Sequence, residues 1–411
     1  MRAYVGVDWS ATKAVCATAL ESGAVKGIQS CDRSISSVQG LVRRVRERHP
    51  EAEEVHVMIE AGAPGWVRLL DAAGAVVHVA DAKQAKRFGE SLCSSGAKDD
   101  RRDAKTLVHM LRSPAHCPPV WRAKVSVEPL ERLSVLHEQV TKDIVRHQQR
   151  MRCVLQEHMP EVDAAISDLR AAWARRFLRR IPTPWHAEGV TASELDRLCY
   201  RLRKPRRDAV KAAMAESDAP WLNESLASVE AMRVHQHLDA LDLLLGQLDA
   251  INTAIDEETA KLPARPVLES VKGIGLQQCA TLLQFAFAAE LLHRDHAAVQ
   301  LGACPVFRGS GERRNGTPKG SARMRRAAHH RGRRSMYLLG RLASRHHAWA
   351  AAMYADGRAR GQSAATAYRR IARSFLRILT AMVRDGVPYD ESRYVGALQA
   401  RGVPWAMNLS P

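Results

Sequence analysis

The order of strands and helices at the N-terminus is the feature that most limits how this chain can fold. Alternating runs rich in β-branched residues predict strands over residues 3–8, 14–20, 25–30, 54–60 and 75–80. Helical spacing of apolar side chains predicts helices over residues 34–49 and 66–73. Three successive strands followed by alternating helices and strands indicate a mixed α/β sheet.

Acids stand at the ends of two of these strands. Asp8 ends the first predicted strand and Glu60 ends the fourth. Ligands of open α/β sheets bind at the carboxyl ends of the strands, where both acids are expected. A strand meander followed by α/β units with acids at strand ends is the pattern of an RNase-H-like domain, which we expect over residues 1–118.

A second pair of acids lies in residues 98–104, KDDRRDA, at the start of a predicted helix. Asp100 and Asp103 are three residues apart, so they face the same side of a helix and repel each other. Lys98 and Arg101 offset part of this repulsion. A divalent cation such as Mg²⁺ would offset more. The alternative is a solvated helix start in which the helix dipole favours acids.

The four acids together form a candidate metal site. Asp8, Glu60, Asp100 and Asp103 could hold one or two Mg²⁺ ions at one edge of the sheet. Such ions neutralise phosphate charge and assist both the attacking and the leaving oxygen. The order of the acids, and the elements that bear them, therefore predict chemistry on phosphodiesters.

The charge of the chain indicates a polyanionic partner. Its 411 residues have a formal charge of +18 and a pI near 9.9. The basic residues cluster without an accompanying apolar face, which favours nucleic acid over a membrane surface. The cysteines form no CxxC pair, so neither a zinc ribbon nor a disulfide framework is indicated. Asp8 and Lys13 exclude an export signal at the N-terminus, and we expect a cytoplasmic protein.

Residues 304–335 combine glycines with a dense basic block. Such density predicts phosphate contacts, because these charges repel one another without a polyanion. The predicted phosphate-binding residues of this block are Arg308, Arg313, Arg314, Lys319, Arg323, Arg325, Arg326, Arg331, Arg333 and Arg334.

Ser310 lies between two glycines at the start of this block. A serine on a flexible loop could attack a phosphodiester and form a phosphoserine link that conserves the bond for rejoining. The residues alone favour a loop without chemistry, because no histidine or lysine base stands demonstrably beside the serine.

Residues 267–285 predict two helices joined by a Gly-Ile-Gly turn. Gly273 and Gly275 permit a tight turn and a close approach to a phosphate, as in a helix-hairpin-helix. A plain glycine-capped turn explains the same residues equally well.

Two long helices are predicted, over residues 127–158 and 226–262. In the second, Leu241, Leu244, Leu248, Ile251 and Ile255 have the spacing of a coiled-coil seam. The helices could pair as an antiparallel hairpin or mediate oligomers. We therefore predict a helical and coiled-coil region over 119–264, a helical C-terminal domain over 265–390 and an irregular tail over 391–411.

The sequence resembles the insertion-sequence one-ten family of transposases, which includes the Piv-type DNA invertases. That family has a RuvC-like domain with acids in the order Asp, Glu, Asp, Asp, the last two in a K-T-D-x-x-D-A motif. Residues 98–104 are similar to this motif, with Asp100 and Asp103 as its acids. Asp8 in GVDWS and Glu60 in IEAGAPGW match the first two.

The C-terminal region resembles the family as well. Residues 272–275, KGIG, are similar to its P-G-I-G turn, with lysine in place of proline. Residues 301–311, LGACPVFRGSG, are similar to its A-G-x-x-P-x-x-x-x-S-G loop, in which the serine is the nucleophile. Here that serine is Ser310. Asp99 departs from the motif, since it stands where the family usually has threonine.

The resemblance implies a DNA transposase or site-specific recombinase. It implies strand cutting and rejoining through a phosphoserine intermediate, with Mg²⁺ on the acidic tetrad and a noncoding bridge RNA as the guide. It also implies homodimers that assemble into tetramers, no membrane partner, and a nucleoid-associated location in the bacterial cytoplasm.

Two other functions fit the residues. A RuvC-type nuclease or junction resolvase would cut with metal-activated water and leave Ser310 without a chemical role. An idle nucleic-acid-binding protein would use the acids only in ion pairs with Arg101 and its neighbours.

Overall fold

The chain forms two compact units, residues Met1–Ala123 and Lys124–Pro411, hereafter unit 1 and unit 2. The computed structural model describes residues 1–21, 23–92, 99–121, 127–285, 298, 301–312, 318–324 and 330–410. Within it, only the backbone is described for residues 305–308, 310, 312 and 318–324.

Unit 1 is built on a sheet of five strands in the order β3-β2-β1-β4-β5. The strands are β1 (Arg2–Trp9), β2 (Lys13–Leu20), β3 (Lys26–Asp32), β4 (Glu54–Glu60) and β5 (Val76–Ala80). The first three pair antiparallel, whereas β1, β4 and β5 are parallel. All five predicted strands are confirmed to within about two residues, in the mixed order expected of an RNase-H-like domain.

Helices cover both faces of this sheet. They are α1 (Ile35–Arg48), α2 (Pro64–Ala72), α3 (Ala82–Leu92) and α4 (Asp100–Arg112). Because side chains alternate along a strand, Val5 of β1 packs into one core with α1 and α2, while Tyr4 packs into another with α3 and α4. Helix α3 was not expected, because few large apolar side chains mark it and Ala85 is its only fully buried residue.

Two long antiparallel helices organise unit 2. Helix α5 (Glu128–His158) lies against α10 (Glu224–Ala260). His147 contacts His237 while His158 contacts Glu230, so the two helices run in opposite directions. Leu241 and Ile255 of the predicted seam are fully buried. The antiparallel pairing within the chain is thus found, whereas a role in oligomers stays a prediction.

Shorter helices fill the rest of unit 2. Between the long helices are α6 (Pro160–Ala165), α7 (Ala172–Arg180), α8 (Ala192–Leu198) and α9 (Lys204–Glu216), with a 3-10 turn at Pro184–Ala187. After them come α11 (Arg265–Glu269), α12 (Leu276–Phe285), β6 (Pro305–Glu312), β7 (Pro318–Met324), α13 (His330–His346), α14 (Ala348–Ala359), α15 (Ala364–Asp385), α16 (Glu391–Ala400) and a 3-10 turn at Pro404–Ala406. One hydrophobic core extends from Leu130 to Val395, so the predicted boundary at 264 falls inside it.

Two features of the C-terminal region differ from expectation. The predicted loop around Ser310 is strand β6, which pairs antiparallel with β7 in a domain predicted to be helical. The tail over 391–411, predicted to be irregular, contains α16, because Asp390 caps this helix by accepting from the Arg393 amide. Burial of Val395 and Leu398 then anchors the helix.

None of the helices among the described residues is both long enough and apolar enough to cross a membrane.

Candidate active site

The first helical turn that bears two of the acids lies directly over β1. A β-carbon built on Gly6 would overlap the carbonyl oxygen of Ala104 and lie 2.9 Å from the backbone nitrogen of Val108. Only glycine permits this approach of helix to strand. Asp103 immediately precedes Ala104, so the close contact fixes the acidic turn of α4 against the middle of β1.

The direction of α4 brings its acids to the carboxyl end of β1. The guanidinium of Arg112, at the end of α4, lies 6.0 Å from the ring centroid of Tyr4, near the start of β1. The helix therefore runs antiparallel to the strand, with its first turn toward Asp8. Gly6 and Asp8 are two residues apart on a strand, so Asp8 lies on the face that α4 covers.

Glu60 lies on the same face and at the same edge. In the parallel pairing of β1 with β4, Val7 is in register with Ile59, so the next positions are Asp8 and Glu60. Met58, two residues before Glu60, belongs to the core on the α4 side. Because side chains on a strand alternate, Glu60 also faces α4.

Two tryptophans tie together the loops that follow these strands. The Trp9 indole N–H donates to the carbonyl oxygen of Glu60 at 3.2 Å. The Trp66 indole N–H donates to the carbonyl oxygen of Ser10 at 3.0 Å. These bonds link residues more than fifty positions apart in the sequence, so they hold the ends of β1 and β4 in a fixed relation.

Asp99 has a structural function that separates it from the other acids. It is the N-cap of α4, and its carboxylate accepts from the Arg101 amide at 3.2 Å. An aspartate in this position stabilises a helix by about 1 kcal/mol. Asp100 and Asp103 then occupy the first turn, where the helix dipole favours negative charge.

The four predicted acids thus lie toward one edge of the sheet, two at the ends of strands and two in the first turn of α4. Asp8, Glu60 and Asp103 are partly buried and Asp100 is exposed. Within the part of the chain that is described, no three acid, histidine or cysteine side chains are grouped closely enough to hold a metal ion. The set offers only carboxylate oxygens, the donor type that Mg²⁺ prefers, so its chemistry fits that ion.

Cys16 lies close to this edge in the strand register, since it pairs with Val7, the residue before Asp8. Burial raises the pKa of the Cys16 thiol, and the neighbouring Cys31 and Asp8 raise it further. The thiol therefore stays neutral and serves as a small core residue.

The second predicted centre, Ser310, lies in unit 2 within strand β6. Gly309 pairs with Gly320 and Glu312 pairs with Pro318, and the register shifts between these pairs. Ser310 and Gly311 therefore lie in a β-bulge, with Gly311 at a φ of +76° that favours glycine. Bulges are common next to active sites because they redirect a strand.

The Gly-Ile-Gly turn joins α11 to α12, as predicted. Gly273 has a φ of +97°, and a β-carbon there would lie 2.9 Å from the His346 ring. The carbonyl oxygen of Lys272 accepts from the His347 ring at 2.9 Å. Backbone conformation alone therefore explains Gly273, and nucleic-acid contact at Gly273 or Gly275 stays a prediction.

The predicted basic residues are only partly visible. Lys98, Arg313, Arg314, Arg325 and Arg326 lie outside the described residues, and of Arg308, Lys319 and Arg323 only the backbone is described. Arg101, Arg333 and Arg334 are exposed. Two buried nitrogens of Arg331, Nε and Nη1, have no hydrogen-bond partner within the described residues, which is compatible with phosphate contact.

A basic and aromatic cluster around Tyr200 was missed at the sequence level. Arg176 and Arg201 both lie over the Tyr200 ring. The available signal was the run YRLRKPRR over residues 200–207, which places a tyrosine among several cations.

Comparison with known proteins adds the family context. Residues 5–160 match the DEDD transposase family of IS110 type, whose members are described as transposases. A Sinorhizobium fredii protein named as transposase y4uE is 30% identical over 167 residues, which are 40% of this chain and 46% of that protein. In that alignment the chain spans under half of the relative's length.

A second relative is matched over more of the chain. It is an uncharacterized 43.6 kDa protein of insertion element IS110 from Streptomyces coelicolor, 24% identical over 327 residues. The alignment covers 73% of this chain and 74% of that protein, so it reaches beyond the acidic domain.

Proposed function

Because the chain belongs to the IS110 family of transposases, we propose that it cuts and rejoins DNA strands using the acidic edge of unit 1 together with Ser310. The observation that supports this most is the placement of four acidic residues toward one edge of the sheet. Asp8 and Glu60 are brought there by strand register. Asp100 and Asp103 are brought there by the contact of α4 with Gly6.

In the proposed reaction, Ser310 Oγ attacks a DNA phosphorus atom. A phosphoserine ester forms, one phosphodiester P–O bond breaks, and a DNA hydroxyl leaves with the proton that the serine gives up. Attack of a DNA hydroxyl on the phosphoserine then restores the serine and rejoins the strand. Because the ester conserves the phosphodiester bond energy, rejoining needs no external energy source.

The acidic edge assists by handling charge. Asp8, Glu60, Asp100 and Asp103 would hold Mg²⁺, which when bound neutralises charge on the scissile phosphate. Asp99 keeps the first turn of α4 in place by capping it. The two indole bonds hold Asp8 and Glu60 in register. The basic side chains between positions 308 and 334 would contact the DNA backbone.

A neighbouring pair of acids gives a matched test of the metal site. Asp103→Asn removes a charged donor, so we expect DNA cleavage to fall by about a hundredfold or more. Asp99→Asn is the control, because asparagine caps a helix as well as aspartate does, and it should cleave at nearly the rate of the wild type. Equal loss in both variants, or no loss in Asp103→Asn, contradicts the proposed roles.

The proposal includes a guide RNA and an assembly of dimers into tetramers, both taken from the family, and a cytoplasmic location near the nucleoid. The charge of +18 suits a chain that binds RNA as well as DNA. Sequencing the RNA that copurifies with the protein tests this part. A defined noncoding species encoded beside the gene supports it, whereas a random RNA population contradicts it.

A further inference from the structure

An exposed tyrosine in unit 2 lies beside two guanidinium groups. Tyr200, between α8 and α9, is 56% exposed. The Arg176 guanidinium lies 5.3 Å from its ring centroid and that of Arg201 lies 5.5 Å away. Arg201 Nε also donates to the Tyr200 hydroxyl at 2.8 Å. These contacts fix the orientation of a ring that buries little of itself in the core.

The charges around this ring are not balanced by the protein. Asp196 is the acid that pairs here, and it already binds Arg207 and Lys211, at 3.3 and 2.7 Å. Arg176, Arg201 and Arg203 take part in no ion pair with an acid among the described residues.

The start of α9 adds further positive potential. Arg203 is the N-cap of α9, it makes no capping bond through its side chain, and the first turn contains no acid. Helix N-termini have a partial positive charge that normally attracts an anion or an acidic side chain. Here the helix begins at a pocket of about 420 Å³ lined by Arg201, Leu202, Arg203, Pro205 and Arg206.

We propose that this surface, Arg176, Tyr200, Arg201, Arg203 and Arg206, binds an unpaired nucleotide of a nucleic-acid strand. We call it the Tyr200 patch. The base would stack on the exposed tyrosine ring, and the adjoining phosphate would lie in the arginine-lined pocket. Aromatic rings beside cationic grooves are the usual means of binding single strands.

The combination of an exposed aromatic ring with arginines favours an unpaired nucleotide over other anionic ligands. A phosphorylated peptide would use the cations but would leave the ring without a stacking partner. A regular duplex keeps its bases stacked internally and cannot offer one to Tyr200. The inference rests on the proposed function, since it takes nucleic acid as the ligand. It adds a contact remote in sequence from the acidic edge and from Ser310.

Binding of short fluorescent oligonucleotides to the full chain tests the proposal. Oligothymidylate and oligouridylate of equal length serve as probes, and an abasic strand of the same length retains phosphates without bases. Tyr200→Ala should bind the two base-containing strands at least about fivefold more weakly than the wild type does. On the abasic strand the two proteins should bind alike.

Further variants separate stacking from charge and from folding. Tyr200→Phe keeps the ring and should bind within about twofold of the wild type. Arg203→Gln should weaken binding of all three strands and lower the slope of log affinity against log salt by about 1. Trp185→Ala is the matched control, because Trp185 is 44% exposed and, within the described residues, no guanidinium lies over its ring. It should bind as the wild type does.

The inference is wrong if Tyr200→Ala binds every strand as the wild type does, or if it weakens the abasic strand equally. Those results leave the proposed function intact. A wild-type chain that binds no nucleic acid overturns both. Preference for oligouridylate over oligothymidylate identifies RNA as the source of the nucleotide, and the reverse preference identifies DNA.

Discussion

The two predicted catalytic sites, the acids of unit 1 and Ser310 of unit 2, are built differently. The acids of unit 1 sit at the ends of regular elements and are fixed by close packing, a helix lying against a glycine of β1. Ser310 sits in a bulge of a two-stranded ribbon, where Gly311 supplies a left-handed backbone conformation. Steric contact therefore positions the acids, whereas local backbone geometry positions the serine. The two sites should respond differently to the same kind of substitution.

The largest difference is expected from Gly6→Val. The new side chain would overlap the backbone of Ala104 and Val108, so α4 must move away from β1. We expect a loss of about 3 kcal/mol or more in the stability of unit 1 and loss of DNA cleavage. Urea unfolding followed by tryptophan fluorescence measures the first.

Gly40→Ala is the control for that variant in the same unit. Its β-carbon meets only the flexible tip of the Arg44 side chain, at 3.2 Å. Alanine also has a higher helix propensity than glycine. It should unfold at equal or slightly higher urea. A Gly6→Val variant as stable as Gly40→Ala would show that α4 is not held by this contact.

A smaller effect is expected from Gly311→Ala in the ribbon. Among the described residues, and leaving out the two chain neighbours, no atom lies within 4 Å of the new β-carbon. At a φ of +76° alanine is strained by about 1–2 kcal/mol, which disfavours the bulge. We expect unit 2 to remain folded and strand transfer to fall severalfold while DNA binding is kept. Global unfolding would contradict a purely local role.

These comparisons also show what a sequence can reveal. Asp8 and Glu60 were predictable because strand alternation and strand ends are visible as periodic patterns. The strands β6 and β7 were not predictable, because residues 305–324 are rich in glycine and arginine and show no alternation of apolar and polar side chains. Helix α16 was missed because only Val395 and Leu398 bury its apolar side. The Tyr200 patch depends on α7, which is distant in the sequence and contributes Arg176.

The smallest effect concerns a buried histidine pair in unit 1. His78 donates from Nδ1 to the Pro118 carbonyl oxygen at 2.7 Å, and its Nε2 shares a hydrogen bond with His56 Nδ1 at 3.0 Å. His56 in turn donates from Nε2 to Glu54, and this hydrogen bond lowers the pKa of the Glu54 carboxyl. Burial lowers the pKa of His78, so His78 is the neutral ring of this pair.

Stability should therefore depend on pH through His78. Burial lowers the pKa of His78 below its ordinary 6.5, so the unfolded chain takes up a proton first as the pH falls. The contribution is fully present above about pH 6.5 and is lost between that value and the lower folded pKa. The slope is at most about 1.4 kcal/mol per pH unit.

Comparison of His78→Gln with the wild type separates the contribution of His78 to the pH dependence of stability from that of the other histidines. The slope of unfolding free energy against pH should be flatter in the variant below pH 6.5. His116→Gln, at an exposed position, should keep the slope of the wild type. Identical slopes in all three proteins would contradict a neutral buried His78.

The covalent state of the cut DNA tests most directly whether Ser310 is the nucleophile of the proposed reaction. The wild type is incubated with Mg²⁺ and element DNA from beside its gene, and the products are analysed by mass spectrometry. The account predicts a DNA-linked peptide containing Ser310, absent in Ser310→Ala and retained in Ser321→Ala on the paired strand. Hydrolysed ends without an adduct, together with full activity of Ser310→Ala, would contradict it.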